Sequence, residues 1–245
     1  MRSGATAQST AESLARLHEV AARARPVALA REQILPVLEP LQPLFPDGLR
    51  RGSTVGVRRS TSLALALVAG PSSEGSWLAA VGMSSLGLAA ASELGVDLEH
   101  LVVVADPPSA SWGTVVATLV DAFDVVLVRP RYRVKVADAR RLTARARERG
   151  SVLVVLGDGS TWPDAPDVEL SVVSGKWHGI GDGHGHLSVR QVVVEADGRR
   201  AAARTRRVSL WLPAASGGVA AVDELAEVRP LRSSRSPNSG EKQTL

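Results

Sequence analysis

Five short apolar runs set the rhythm of this chain: Thr54–Val57, Trp77–Met83, Leu101–Val104, Val125–Val128 and Val152–Leu156. Between them lie segments with helical spacing, at Thr61–Ala69, Leu86–Leu94, Trp112–Asp121 and Ala137–Arg149. Runs that are apolar at nearly every position, rather than at every second one, belong to strands covered on both faces. Their alternation with helices is the pattern of a mostly parallel sheet. The expected fold class is therefore α/β. An apolar fraction of 44% is ample for such a core, and with aromatics at only 3% it must be built from Val, Leu and Ala.

The rhythm differs at both ends. Ala11 to Ala24 reads as a helix, with Leu14, Leu17, Val20 and Ala21 at helical spacing, Ser9 or Thr10 as cap and Pro26 as stop. A second amphipathic segment, Ala28 to Leu35, leads to Pro36, Pro40, Pro43 and Pro46, which favour an extended linker. Such an arm serves either packing or partner docking. After Gly157, the runs Val168–Val173, Leu187–Glu195 and Val208–Leu212 follow without helices between them, and Ala196-Asp197-Gly198-Arg199 has the chemistry of a hairpin turn. The expected organisation is a helical arm and linker over 1–47, a core over 48–213 closed by antiparallel strands, and a tail over 214–245. The tail contains an apolar patch, Val219 to Val228, and a segment of disordered composition, Ser233 to Gly240.

Composition excludes some classes of protein. The 245 residues contain no cysteine, which removes disulfide frameworks and thiolate metal sites. Met1 to Thr6 is polar and does not resemble a signal peptide, and no apolar run has membrane-spanning length, so a cytoplasmic location is expected. The formal charge is +4, carried almost wholly by Arg; Lys occurs only at Lys135, Lys176 and Lys242. Arg preference is equally the mark of a GC-rich genome and of contact with nucleic acid or an acidic partner.

Four stretches are candidate sites. Gly52 to Thr61 reads as strand, tight turn and helix, the setting in which nucleotide-binding proteins hold phosphates. However, Gly56 is followed by Arg58, Arg59, Ser60 and Thr61, not by Gly-Lys-Thr/Ser. The run Val125–Val128 ends in Arg129, where an acid would help to hold Mg²⁺, and Asp124 stands at the other end of the strand. The Ala137–Arg149 helix and its lead-in carry Arg131, Arg133, Lys135, Arg140, Arg141, Arg145, Arg147 and Arg149, either as a solvated face or as a surface for phosphates or an acidic partner. His178, Asp182, His184 and His186 lie close enough in sequence to ligate a metal, but the glycines among them favour a flexible surface loop.

Several of these runs resemble the RecA family. Gly48 to Val57 is similar to the approach to that family's phosphate loop, Leu94 to Leu101 to the segment before its third strand, and Phe123 to Val128 to its Mg²⁺-acid strand. The resemblance covers residues 45–212 and implies a RecA-like core. It puts Ser60 at the phosphate Lys, Thr61 at the Mg²⁺-binding hydroxyl, Met83 at the water-activating Glu and Arg129 at the Mg²⁺-linked acid. With three catalytic parts replaced, it implies a protein that hydrolyses nothing and takes no cofactor or metal.

Trp177 to Gly181, Leu187 to Arg190 and Ser209 to Pro213 resemble the ImuA-prime type of mutasome accessory protein. That likeness implies a non-catalytic role in SOS-induced translesion DNA synthesis. The implied partner is an inactive Y-family polymerase homologue of the ImuB type, and through it an error-prone polymerase α subunit. Alternatives are a SulA-like cell-division inhibitor, a divergent ATPase and a DNA-binding regulator. Arg58, Arg59, Arg140, Arg141 and Arg145 are the candidate contacts to DNA or another anion.

Overall fold

The apolar runs become neighbouring strands of one nine-stranded sheet in a computed structural model that describes residues 34–181, 184–198 and 204–222. In chain order, β1 (Ile34–Leu35) pairs with β2 (Leu49–Arg50) outside the main sheet. Then come β3 (Thr54–Arg58), α1 (Thr61–Ser73), β4 (Leu78–Val81), α2 (Leu88–Glu93), β5 (Leu101–Val104) and α3 (Ser109–Ala122). These are followed by β6 (Val125–Val128), α4 (Val136–Arg149), β7 (Val152–Gly157), β8 (Val168–Gly181), β9 (His184–Gly198), β10 (Arg206–Trp211) and β11 (Ala220–Ala221). The order across the sheet is β11-β10-β9-β8-β3-β7-β6-β4-β5. Every pairing from β8 to β5 is parallel, and β9, β10 and β11 add on antiparallel.

The continuous apolar runs are explained by two cores. Successive residues of a strand point to opposite faces. Leu78 and Ala80 of β4, with Val125 and Leu127 of β6, face the α1 side. Ala79, Val81, Val126 and Val128 face α3 and α4, where Trp112, Val116, Leu119, Leu142 and Ala146 are buried.

Helix α1 is buried over ten consecutive residues, Leu63 to Ser72. A helix apolar all round needs cover on both sides. The sheet covers one side, and the segment after β1 covers the other. Gly70 lies so close to that segment that an added Cβ would stand 2.8 Å from the Cα of Val37. Leu35, Leu41, Leu44, Phe45 and Leu49 are all buried in the same core. The stretch from Pro36 to Asp47, expected as an extended linker, is thus the lid of the α1 layer. The linker is not extended throughout: Glu39–Leu41 is a 3-10 helix with Pro40 in its first turn, and turns carry the chain on from there, because Leu41, Leu44 and Phe45 are drawn into the core.

Other expectations need correction. The helix expected over Thr61–Ala69 continues through Gly70 to Ser73, because burial at Gly70, Pro71 and Ser72 outweighs their poor helical propensity. The Gly-rich stretch around His178, read as a loop, is a β-ribbon formed by β8 and β9. Its register shifts at Val172/Ser174 and at His178/Ile180, where glycine accommodates the irregularity: Gly179 has φ +107. Ala196 to Gly198, read as a turn, is still strand. Ala214 is buried, and Ala220–Ala221 pairs with β10, so the chain past Pro213 continues the sheet edge. The expected N-terminal helix at Ala11–Ala24, the segment after Val222 and the disordered tail lie outside the described residues.

Candidate functional site

The carboxyl ends of the parallel strands are where ligands bind in open α/β sheets. Here the ends of β3, β4, β6 and β7 surround a cleft of about 740 Å³ lined by Arg59, Thr61, Gly82, Ser84, Ser85, Arg129, Arg131, Gly157, Asp158 and Thr161 among others. Segments expected from sequence to be degenerate parts of one phosphate site therefore do meet in space.

The turn between β3 and α1 is only two residues long, Arg59 and Ser60. A phosphate-wrapping loop needs several backbone N–H groups in a row, and two residues cannot supply that. Ser60 caps the helix instead: its Oγ accepts from the backbone N–H of Leu63 at 3.2 Å, and the residue is 8% exposed. Arg59 takes the left-handed conformation, φ 50, unusual for a long side chain. Its N–H donates to the Gly157 carbonyl at 2.9 Å, tying the turn to β7, while its guanidinium reaches into solvent with a side-chain exposure of 80%. Thr61 opens α1 at the cleft wall.

Met83 is 3% exposed and belongs to the α1-side core, so its neighbours Gly82, Ser84 and Ser85 line the cleft in its place. Gly82 is required where it stands. Its φ is +74, and an added Cβ would lie 2.6 Å from the Arg129 carbonyl oxygen. Arg129 follows β6 directly; its N–H donates to Val81 at 2.9 Å and its side chain is exposed. Arg131 pairs with Asp106 at 3.2 Å, and Asp106 also accepts from the Ser84 hydroxyl. Hydrogen bonds from the hydroxyl and backbone N–H of Ser160 hold the Asp158 carboxyl below its ordinary value, with Arg59 3.9 Å away. The cleft thus gathers three guanidiniums, a helix N-terminus and a Thr hydroxyl against two carboxylates. This is an arrangement for an anion.

The remaining basic candidates are placed elsewhere. Arg58 points away from the cleft, to Glu169 at 2.6 Å, whose hydrogen bond and charge hold the guanidinium above its ordinary pKa. Arg145 donates to Asp121 of α3 at 2.6 Å, Arg149 reaches the same carboxylate at 3.1 Å, and Arg141 pairs with Asp138 at 3.0 Å. The cations of α4 are thus largely committed to fastening α4 onto α3 and to pairing along α4 itself; Arg140 is exposed. Asp124, at the amino end of β6, is 5% exposed and accepts from Arg51 at 2.8 Å and from the Trp77 N–H at 3.0 Å, a structural role.

On the ribbon, Trp177 lies under Arg190 with the guanidinium 5.6 Å from the ring centre, and His178 meets the Trp211 ring edge-on at 5.4 Å. Among the described residues, no three His, Asp or Glu side chains are grouped to hold a metal. No helix among them is long and apolar enough to cross a membrane. Sequence reasoning missed Asp158 and Thr161. The signal was present in Gly157-Asp158-Gly159-Ser160-Thr161, a turn-forming cluster directly after a parallel strand.

Comparison with known proteins points to the same part of the chain. Residues 43–164 match the family model described as the MT3502 N-terminal domain, a span that runs from the lid of α1 through β7 and includes every wall of the cleft. The chain is also 40% identical over 120 residues to the uncharacterized protein Rv3395c of Mycobacterium tuberculosis, a match that covers 47% of this chain and 56% of that protein.

Proposed function

We propose that this chain is a RecA-like protein without ATPase chemistry that acts as an accessory scaffold in damage-induced translesion DNA synthesis. In this reading it works in the cytoplasm, takes no cofactor, and docks on an inactive Y-family polymerase homologue, which brings it to an error-prone polymerase α subunit. One observation carries the first half of the reading. The positions at which the resemblance requires a Lys, a Glu and an acid are Ser60, Met83 and Arg129, just past the ends of β3, β4 and β6; Arg129 lines the cleft, whereas at the other two positions only the neighbours Arg59, Thr61, Gly82 and Ser84 do. Ser60 is used as a helix cap, Met83 as core, and Arg129 puts a cation where Mg²⁺ would need a carboxylate. The parallel strands followed by antiparallel strands at one edge support the RecA-like reading.

The scaffold half rests on the resemblance of the β8–β9 ribbon and the end of β10 to the mutasome accessory group. The ribbon exposes Trp177, Ile180 and Leu187, with Ile180 at 65%. Co-expression with an affinity-tagged inactive Y-family homologue tests it. Co-purification that Trp177→Ala with Ile180→Ser weakens is the expected result. Undiminished co-purification removes the ribbon from the interface, and none with the parent chain refutes the partner. Mg²⁺-dependent ATP hydrolysis at millimolar ATP would refute the non-catalytic half.

A further inference from the structure

We infer that the segment from Arg129 to Lys135, with Arg59 across the cleft, is a binding strip for the sugar–phosphate backbone of nucleic acid. The inference stands independently of the accessory role, because it rests on the placement of these cations alone. Its residues alternate strictly. Arg129, Arg131, Arg133 and Lys135 are exposed, while Pro130 and Val134 are buried and Tyr132 is half-buried. The inward residues fix the strip. Tyr132 meets Trp112 edge-on at 6.1 Å, Val134 sits in the α3–α4 core, and its N–H donates to the Thr161 carbonyl at 2.9 Å. The outward residues are therefore four cations in a row on an anchored backbone. Two residues of chain span at most about 7 Å, so neighbouring cations are spaced on the scale of neighbouring phosphates.

Charge balance separates this strip from the basic helix that follows it. Arg145 and Arg149 share Asp121, and Arg141 is held by Asp138. On the strip and across the cleft, Arg131 is paired with Asp106 at 3.2 Å and Arg59 is 3.9 Å from Asp158. Arg129, Arg133 and Lys135 have no ion-pair partner among the described residues. No apolar side chain is exposed between the cations, and the aromatic ring is turned inward. That suits a uniform, repeating anion better than an acidic peptide, whose specificity needs pockets for mixed side chains. It also predicts binding without base preference, since nothing on the strip is offered for stacking.

The test is fluorescence anisotropy of the full chain with a labelled single-stranded oligonucleotide, its duplex, and a poly-glutamate peptide of equal charge. On a single strand at about 0.1 M salt, each phosphate contact contributes roughly fivefold through counterion release. Arg133→Ala with Lys135→Ala should therefore weaken binding about 25-fold and flatten the log–log salt slope by about 1.4. The control Arg50→Ala with Arg147→Ala has the same net charge and lies at the other end of the sheet; it should leave affinity within about twofold. The charge-keeping exchange Arg133→Lys with Lys135→Arg should do the same. An equal loss in the control would reduce the effect to net charge and overturn the proposal. So would undiminished binding by the strip variant, no nucleic-acid binding by the parent, or preference for poly-glutamate.

Discussion

Gly82 sits where the cleft and the sheet meet, and replacing it separates two costs that usually come together. Its φ is +74, in the left-handed region, and a Cβ there would stand 2.6 Å from the Arg129 carbonyl oxygen. Gly150, at the end of α4, has almost the same φ, +72, with no atom within 4 Å of its added Cβ. Both pay the left-handed penalty of an L-residue, about 1–2 kcal/mol. Both recover part of it, about 0.4–1 kcal/mol, because Ala stiffens the unfolded chain. Gly150→Ala should therefore cost between about 0 and 1.6 kcal/mol. Gly82→Ala must also push the backbone at the end of β6 away from β4, an overpacking cost of about 1–3 kcal/mol. The total for Gly82→Ala is then about 1–5 kcal/mol, larger than that for Gly150→Ala by the overpacking cost of about 1–3 kcal/mol. Urea unfolding of both variants measures this, provided the slope with denaturant is unchanged. Equal losses in the two variants would refute the close approach of Gly82 to Arg129, and with it the geometry of the cleft wall.

Three further outcomes follow from the packing. Gly70→Ala puts a methyl 2.8 Å from the Val37 Cα and 2.9 Å from the Leu38 nitrogen; it should destabilise by about 2 kcal/mol or more, as overpacking against backbone does, and a neutral result in thermal unfolding would place residues 36–38 away from α1. Asp124→Ala leaves Arg51 and the Trp77 N–H without their buried acceptor; the loss should be about 3 kcal/mol, and Arg51→Ala alone, read by urea midpoint, should be milder because Asp124 keeps Trp77. For Asp121, burial pushes the carboxyl up, but hydrogen bonds and charge from Arg145 and Arg149 outweigh it, and the net direction is down from 3.8. A depressed folded pKa gives stability above the unfolded value, near 3.9, that is lost as pH falls through the folded value. Asp121→Asn should therefore be up to about 1 kcal/mol weaker than the parent at neutral pH, with the gap closing below about pH 4. Urea midpoints across that range check it, and a gap that persists in acid would deny the ion pair its role.

The central sheet was legible because its signal is redundant. Each of β3 to β7 is a run that no amphipathic helix would carry, and each is flanked by its own turn. Legibility ended where tertiary contact decides. Gly70 and Pro71 look like a turn in isolation and are helix because Val37 and Leu38 pack on them. Gly179 and Gly181 look like a loop and are strand because β9 supplies the ladder partner. Arg58 and Arg59 are adjacent and identical in type, yet strand alternation sends Arg58 to Glu169 on one side while the left-handed turn sends Arg59 to the cleft. Pattern alone cannot divide such a pair, since the division depends on a carboxylate more than a hundred residues further on.

Arg129 decides which charge the end of β6 presents to the cleft. An acid at the end of β6 would draw a divalent cation toward the N-terminus of α1, and the two together would hold a polyphosphate. A guanidinium at the same place repels that cation and, with Arg59 and Arg131, draws an anion directly. The two settings differ in salt response. A metal-bridged phosphate is held by inner-sphere bonds that added salt barely weakens, whereas a guanidinium cluster binds through displaced counterions and weakens steeply with salt. Arg129→Asp therefore tests the sign of the site. It should weaken salt-sensitive anion binding by the full chain at least about fivefold, without creating Mg²⁺-dependent nucleotide binding, because Ser60 and the two-residue turn still supply neither a Lys nor a loop. Gain of Mg²⁺-dependent ATP binding in calorimetry would show that the turn can still cradle phosphates, and that Arg129 alone blocks them.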